Sequence, residues 1–344
     1  MRSDITLRCL FVLTTLRTFV GGYASLFTYD RGIRLAGSEL WLDAEQRVEL
    51  SYVSHGHADH LNNHHRIIAT APTARFFLQR QRQVDVVEVA YREPFEMDGF
   101  TIELYPSGHI LGSSMIRIER DGVSLLYTGD FKLRQSATAE PIQIPQADIL
   151  IMECTFGKPQ YRFVDRDTLI AGLVQFVEET LLWGAVPAIL AYSLGKGQEA
   201  MKLLGDRGFR VKAWPAMWEL ALIYREFGIE FRNCQPWDYG PLRGEVLIIP
   251  PQALRYRAVR AIPRLRTLLL SGWAADPSAK YRYGADEALP FSDHADFDEL
   301  IDFVRMVRPK QVFTTHGFSD FSRYLHAEGF AAQELGSAGQ LSLW

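Results

Sequence analysis

The sequence predicts an α/β protein with two lobes, the second inserted into the first. Up to about residue 160, short stretches of alternating apolar and polar residues indicate half-buried strands of a mixed or antiparallel sheet. From about residue 161, strand-like and helix-like stretches alternate, which is typical of a parallel sheet with crossover helices. Histidine and aspartate motifs resume near Phe291. We therefore expect a first domain at 25–160, an insertion at 161–290 and a return segment at 291–344.

Size and composition indicate a globular protein with more than one core. The chain has 344 residues, 47% hydrophobic and 23% charged, and typical domains have about 100–200 residues. Its net charge of −4 provides no overall attraction to a phosphate backbone, so any contact with nucleic acid requires a local patch. The three cysteines are far apart and show no CxxC spacing. This predicts reduced thiols in a cytoplasmic protein.

Residues 1–24 precede the predicted first domain. A short apolar stretch between Arg8 and Arg17 resembles the core of a signal peptide. It is too short to cross a bilayer, and Asp4 interrupts the positively charged start. We expect a non-native or mis-started extension, with a targeting segment as the alternative, and no membrane association.

The most informative local feature is the sequence from Ser54 to His60, which has histidines at 55, 57 and 60 and an aspartate at 59. It follows a strand-like stretch, 48–53. If the strand continues, its period of two places His55, His57 and Asp59 on one side, and a turn directs His60 toward a second ion. Zinc takes nitrogen and oxygen ligands at about 2.0–2.2 Å. We predict a metal site; the alternative is a solvated, histidine-rich loop.

Four further residues are candidates for the same site. His109 lies between two glycines, which allow close approach of the backbone, and Asp130 follows an apolar strand-like stretch, where an unpaired carboxylate is costly to bury. His294 and His316 occur in the motifs at 292–296 and 314–317. Each has an alternative explanation when taken alone. His109 could be an ordinary loop histidine and Asp130 a turn residue. The motif at 292–296 could cap a helix, and the motif at 314–317 could form a turn at the end of a strand. Together with the 55–60 cluster, they predict one metal centre.

In their order, these motifs resemble the metallo-β-lactamase superfamily, and specifically its β-CASP nucleases. The resemblance extends from about Ser25 to the C-terminus. It includes further motifs at 40–43, 153–157, 192–198 and 270–273. The chain looks most like bacterial ligase-associated DNA exonucleases and is also similar to RNA 3′-end-processing factors. The resemblance implies a four-layer αββα metallo-β-lactamase fold with an inserted α/β β-CASP domain.

The resemblance also implies roles for individual side chains and two divalent metal ions, zinc, with manganese as the alternative. The implied ligands of one ion are His55, His57 and His109. Those of the second are Asp59, His60 and His316, with Asp130 bridging both. Asp43 and Glu153 would orient ligand imidazoles, and the implied catalytic residues are Asp59, Asp130 and His294, the last as general acid.

Such a centre predicts phosphodiester hydrolysis. Two cations about 3.5–4 Å apart activate water and neutralise the charge of the transition state, and the resemblance implies that His294 protonates the leaving oxygen. We predict a DNA exonuclease of DNA repair with a ligase or helicase partner. The alternative is an RNA-processing nuclease, because no linear motif shows a contact to the 2′-hydroxyl. A small-molecule hydrolase would not need the inserted lobe, and an inactive scaffold would have lost ligands.

Two segments of the insertion are candidates for substrate binding. Gly195, Lys196 and Gly197 lie between a predicted strand and helix, where backbone N–H groups favour a phosphate; an ordinary glycine-rich turn is the alternative. The second segment has no acidic residue from 246 to 275, which suits a nucleic-acid backbone, and includes Tyr256 as a face for a base. A solvated helix face would show the same pattern. The arginines proposed to bind substrate are Arg255, Arg257 and Arg260.

Overall fold

The computed structural model describes residues 26–336. Two facing sheets with helices outside them are formed by the first domain and the return segment, and the insertion forms a third sheet. The predicted extension at 1–24 lies outside the described residues. In residues 26–336, no helix is long and apolar enough to cross a membrane.

Six short strands form the first sheet. They are β1 (Phe27–Tyr29), β2 (Ile33–Leu35), β3 (Leu40–Leu42), β4 (Leu50–Tyr52), β5 (Arg66–Ala69) and β6 (Asp85–Glu88), adjacent in that order. Helix α1 (Ala71–Arg80) covers the outer face, where Phe77 packs in a cluster with Ile67. The helix begins after Thr70, whose side chain accepts a hydrogen bond from the Thr73 N–H and so satisfies a free backbone donor.

The second sheet combines strands from both ends of the chain. They are β7 (Phe95–Met97), β8 (Phe100–Pro106), β9 (Ser114–Arg120), β10 (Val123–Tyr127), β11 (Ile149–Cys154), β18 (Gln311–Gly317) and β19 (Ala332–Glu334). Their order is β19-β18-β11-β10-β9-β8-β7. All six residues of β11 are buried because it pairs in parallel with a strand on each side.

Helices α7 (Phe297–Val307) and α8 (Phe321–Ala327) cover the outer face of the second sheet. Asp296 caps α7: its side chain accepts from the Glu299 N–H, as the N-cap interpretation of this motif predicts. The inner faces of the two sheets share one apolar core, which contains Tyr52 and Tyr127. The result is the four-layer αββα fold, so the predicted fold class is confirmed.

The insertion is a parallel sheet with helices on both faces. Its strands are β12 (Val186–Leu190), β13 (Arg210–Ala213), β14 (Cys234–Pro236), β15 (Glu245–Ile249), β16 (Leu265–Leu270) and β17 (Glu287–Leu289), in the order β14-β13-β15-β12-β16-β17. Its helices are α2 (Arg166–Leu182), α3 (Lys196–Gly205), α4 (Pro215–Glu226), α5 (Arg257–Arg260) and α6 (Ala279–Tyr283), with 3₁₀ turns at Pro251–Arg255 and Gly272–Ala275. In such sheets, ligands bind at the carboxyl ends of the strands.

The insertion and the first domain share a continuous core. Phe76 of α1 lies in the same cluster as Tyr224 of α4, with ring centroids 5.6 Å apart. Gly272, which follows β16, packs against Phe156 so closely that a Cβ atom would lie 2.3 Å from the ring. The carboxyl edge of the inserted sheet is thereby held against the first domain.

Candidate metal centre

The histidine cluster lies on a loop, so the prediction that a continuing strand aligns its side chains was wrong. Strand β4 ends at Tyr52, and the backbone then turns, with the His60 N–H 3.1 Å from the His57 carbonyl oxygen. The turn buries His55 completely but leaves the Asp59 side chain 78% exposed. The loop, rather than strand periodicity, therefore determines which side chains converge.

Four donor atoms converge at the base of this loop. Nε2 of His55 lies 3.1 Å from Nδ1 of His57 and 3.4 Å from Oδ2 of Asp130. Nε2 of His109 lies 3.1 Å from Nδ1 of His57 and 3.6 Å from Oδ2 of Asp130. Ligands of a tetrahedral zinc at about 2.0–2.1 Å are about 3.3–3.4 Å apart. The set therefore has the size of a zinc site.

Backbone carbonyl groups determine which imidazole nitrogens carry protons. Nε2 of His57 lies 3.1 Å from the Leu194 carbonyl oxygen, and Nδ1 of His109 lies 2.8 Å from that of Asp293. A carbonyl oxygen can only accept, so each of these nitrogens donates. Burial lowers the pKa of His57 to about 4 and that of His109 well below its ordinary value, so both rings are neutral.

It follows that the nitrogens of His57 and His109 that face each other, 3.1 Å apart, have no hydrogen between them. Two lone pairs at this distance repel each other unless a cation lies between them. Burial also raises the pKa of the neighbouring Asp130 carboxyl to about 6, against the opposing effect of His294. A divalent cation would stabilise the ionised carboxylate as well, so the chemistry of the donor set fits zinc.

Glycine at 129 allows Asp130 to reach this site. Gly129 has φ of 51°, and a Cβ atom there would lie 2.5 Å from the Ser54 side chain. The loop that follows β10 therefore packs directly against the histidine loop. The Asp130 carbonyl oxygen also accepts a hydrogen bond from the Ser107 hydroxyl at 2.8 Å. These contacts hold the carboxylate beside the imidazoles.

His60 is held by Asp43, one of the two carboxylates expected to orient ligand imidazoles. Oδ2 of Asp43 lies 3.2 Å from Nδ1 of His60 and accepts from the Tyr127 hydroxyl at 2.9 Å. Oδ1 accepts from the Ser54 N–H at 2.8 Å. Burial disfavours charge on Asp43, but His60 and these donors outweigh it and lower the pKa of the carboxyl. Burial disfavours charge on His60, but Asp43 outweighs it and raises the pKa of the imidazole to about 10, so Nε2 of His60 would have to lose its proton before binding a metal ion.

The residues expected to bind a second ion lie close together but do not converge as tightly. Nε2 of His60 lies 3.8 Å from Oδ2 of Asp59, and its ring centroid lies 6.0 Å from that of His316. In residues 26–336, the sets whose donor atoms all lie within 4.8 Å of one another include none of these three residues. Those sets are His55-His57-His109-Asp130, His109-Asp293-His294 and Asp130-Glu153-His294.

His294 lies at the rim of the donor set, with its ring centroid 4.7 Å from that of His109. Its Nδ1 donates to Oε1 of Glu153 at 2.9 Å. Glu153 was expected to orient a ligand imidazole and instead contacts the expected general acid. Burial disfavours charge on His294, but the Glu153 carboxylate outweighs it and raises the pKa of the imidazole to about 9. A proton on His294 is therefore retained at neutral pH.

The segment expected to bind a phosphate is engaged within the protein. The Lys196 ammonium is buried and forms an ion pair with Oδ1 of Asp293. The Gly195 N–H donates to the Gln198 side chain at 2.8 Å, and the Gly197 N–H donates to the Tyr192 carbonyl oxygen at 3.1 Å. The two glycine N–H groups and the Lys196 ammonium are therefore not free to bind a substrate, because these internal contacts already engage them.

The structure adds Asp293 to the site, a residue that the sequence interpretation did not assign. It is 2% exposed, its carbonyl orients His109, and its Oδ2 has no hydrogen-bond partner among the described residues. Its position directly before His294 was the sequence feature that could have identified it.

Of the arginines expected to bind substrate, Arg255 belongs to the 3₁₀ turn after β15, and Arg257 and Arg260 belong to α5; all three are exposed.

Comparison with known proteins agrees with this geometry. A family model described as the Zn-dependent metallo-hydrolase RNA specificity domain matches residues 286–333. The chain is 40% identical to a "Probable DNA ligase" of Opitutus terrae over 92% of its own length, but spans only 31% of that protein. It is 28% identical to an "RNase J-like protein" of Methanocaldococcus jannaschii, covering 79% of this chain and 82% of the relative.

A solved structure has a similar fold. It is that of a protein from Enterococcus faecalis described as having an unknown function, and it matches with a TM-score of 0.57 at 14% identity. The match covers 85% of this chain and 80% of the other. The similarity of fold therefore extends over both lobes.

Proposed function

Because the chain belongs to the β-CASP group of the metallo-β-lactamase family, whose members are zinc-dependent nucleases, we propose that it is a DNA exonuclease that acts in DNA repair. The alternative is an exo- or endoribonuclease. The observation that carries the proposal is the set of His55, His57, His109 and Asp130, whose donor atoms lie 3.1–3.6 Å apart and in which the facing nitrogens of His57 and His109 have no hydrogen between them. A bound cation would remove the repulsion between these two nitrogens.

Similarity to a protein named as a probable DNA ligase favours DNA as the substrate. A nuclease that trims ends and a ligase that seals them act on the same strand, so a ligase is the partner we propose. Similarity to a protein named as RNase J-like, and a matching model named for RNA specificity, favour the ribonuclease alternative. Cleavage of matched DNA and RNA strands distinguishes the two.

We assign His55, His57 and His109 to one metal ion and Asp59, His60 and His316 to a second, with Asp130 between them. The 3.8 Å separation of His60 and Asp59 and the contact of His60 with Asp43 support the second group. Bound divalent ions would supply an acidic water and neutralise charge on the phosphodiester.

The role proposed for His294 follows from its own contacts. Its Nδ1 proton is held by Glu153 at 2.9 Å, so the proton that it can transfer is on Nε2, at the rim of the donor set. Donation of this proton to the departing oxygen is general-acid catalysis. Glu153 is thus a positioning residue that keeps the imidazole charged and oriented.

The proposal is tested with end-labelled single-stranded DNA and RNA of matched sequence, incubated with the purified protein and zinc or manganese, and again with a chelator. Release of mononucleotides from one end of DNA, abolished by the chelator and by Asp130→Asn, is the expected result. His65→Ala is the matched control, because His65 is exposed and lies outside the donor sets. Release from RNA alone would select the alternative, and inertness toward both polymers would overturn the proposal.

A further inference from the structure

Aromatic residues follow the carboxyl ends of four neighbouring strands of the inserted sheet. Strands β12, β15, β13 and β14 are adjacent in this order and all run parallel, so their carboxyl ends meet at one edge. The aromatic residues that follow them are Tyr192, Tyr256, Trp214 and Tyr239, respectively. We call these four residues the aromatic edge.

Three rings of the aromatic edge contact one another, and three of its four members are exposed to solvent. The Trp214 ring centroid lies 5.1 Å from that of Tyr256 and 5.8 Å from that of Tyr239. Buried Trp237 supports Tyr239 from below, at 5.0 Å. Nevertheless, Tyr192, Tyr256 and Tyr239 are 53%, 57% and 54% exposed. Clustered exposed aromatic surface of this kind marks a binding surface more often than a packing need.

The charge around the aromatic edge suits an anionic polymer. Tyr256 lies between Arg255 and Arg257, both exposed, in the stretch from 246 to 275 that lacks acidic residues. The nearest acidic residue in sequence to Tyr239 is Asp238, whose carboxylate accepts from the Gly240 N–H at 3.0 Å and so serves the turn. Arginines beside aromatic rings allow phosphate contact and base stacking at the same place.

The aromatic edge begins beside the metal centre. The Lys196 ammonium lies 5.0 Å from the Tyr192 ring and pairs with Asp293, whose carbonyl holds His109. Leu194, two residues after Tyr192, holds His57. Neighbouring strands are about 4.8 Å apart, so β12 and β14 are separated by about 14 Å. That span equals about four stacked nucleotides at about 3.4 Å each.

We propose that the aromatic edge binds single-stranded nucleic acid, with bases stacking on the exposed rings of Tyr192, Tyr256 and Tyr239 as the strand leaves the metal centre, while Trp214 supports the last two rings. This inference rests on the proposed nuclease function and adds that the substrate is a single strand of several nucleotides. A duplex does not fit, because its bases are already stacked and paired in the interior. The aromatic faces read no sequence, since every base has a stacking face.

The test compares substrates of two lengths. Cleavage of dT12 and dT2, and of rU12 and rU2, is measured as kcat/KM, and binding of phosphorothioate dT12 and rU12 to the metal-loaded protein is measured by fluorescence anisotropy. The variants are Tyr239→Ala and Tyr256→Ala. Trp183→Ala is the matched control, because Trp183 is also 54% exposed but precedes β12 at the opposite edge of the sheet.

Each tyrosine variant is expected to weaken binding of the 12-mers, and to lower kcat/KM for their cleavage, by about 5- to 150-fold. Cleavage of the 2-mers by these variants should change by less than about twofold. The control variant Trp183→Ala should change neither substrate by more than that. Tyr239→Leu and Tyr256→Leu keep apolar volume without an aromatic face and carry the test if an alanine variant unfolds. Equal effects on both lengths, or none on the 12-mer, would overturn the aromatic edge while leaving the nuclease assignment intact. A wild-type protein that neither binds nor cleaves any of the oligonucleotides would instead overturn the proposed function.

Discussion

Replacement of Lys196 by methionine is expected to destabilise the protein far more than loss of a surface charge. The side chains of Lys196 and Asp293 are only 7% and 3% exposed, and they form an ion pair between α3 of the insertion and the return segment. Oδ2 of Asp293 already has no hydrogen-bond partner in the described part of the chain. Lys196→Met keeps the apolar stem but removes the nearer of two cations from a buried carboxylate, leaving His294, whose Nε2 lies 3.8 Å from Oδ1 of Asp293.

The expected magnitude follows from this burial. Removing one partner of a buried ion pair costs about 3–5 kcal/mol, because the remaining charge stays desolvated. Lys202 provides a matched control in the same helix: it pairs with Asp206 at 2.6 Å, with side chains 22% and 35% exposed. A pair of this kind contributes about 0.3–0.5 kcal/mol. The double variant Lys196→Met/Asp293→Asn is expected to recover part of the loss, since no unpaired charge remains.

The assay is urea unfolding followed by tryptophan fluorescence, with zinc in constant excess so that metal loss does not contribute. The free energy of unfolding is expected to be highest for the wild type and slightly lower for Lys202→Met. It should be lower again for the double variant and lowest for Lys196→Met. The reasoning is refuted if Lys196→Met costs no more than Lys202→Met. It is also refuted if the double variant is as unstable as Lys196→Met, because the cost would then come from packing rather than from charge.

Three further predictions concern catalysis, packing and pH. His294→Ala should lower kcat by about 10²–10⁴-fold with zinc content near that of the wild type by elemental analysis; loss of zinc would contradict the general-acid role. Gly272→Ala should cost about 1–3 kcal/mol in urea unfolding, because its Cβ would lie 2.3 Å from Phe156. Gly172→Ala in α2, whose Cβ would meet only Leu289 at 3.4 Å, should cost nothing; similar losses in both would contradict the packing argument. The Lys310 ammonium and the Ser124 N–H lower the pKa of the Asp148 carboxyl to about 2, so this group binds a proton less readily when folded and stabilises the fold above its unfolded pKa. The difference in free energy of unfolding between wild type and Asp148→Asn should therefore shrink as pH falls from about 4 to about 2; a constant difference would exclude this origin.

Periodicity predicted the alternation of strands and helices in the insertion because such patterns are local. The strand-like and helix-like stretches expected to alternate after about residue 161 do so, as in α2 (Arg166–Leu182) and β15 (Glu245–Ile249). The same reasoning failed at the histidine loop, where β4 ends at Tyr52. Residues 53–57 form no strand; there the Ser54 N–H donates to Oδ1 of Asp43, and Gly56 packs against Phe76.

Residue types predicted which side chains gather, but not what holds them. The identities of His55, His57, His109 and Asp130 indicate metal ligands, and these four converge. The groups that orient His57 and His109 are carbonyl oxygens of Leu194 and Asp293, and a backbone carbonyl leaves no trace in the residue type. Lys196 shows the converse: its local setting suggested a phosphate, whereas its partner Asp293 is 97 positions away.

These orienting contacts make the inserted domain part of the metal centre. His57 and His109 belong to the first domain, yet the proton on one is placed by Leu194 of the insertion and that on the other by Asp293 of the return segment. Without those carbonyls, each ring is free to place its proton on the nitrogen that must face the metal. The protons of the ligand set are therefore placed only after all three segments have docked, and zinc would stabilise the docked arrangement by the same free energy with which docking would strengthen zinc binding.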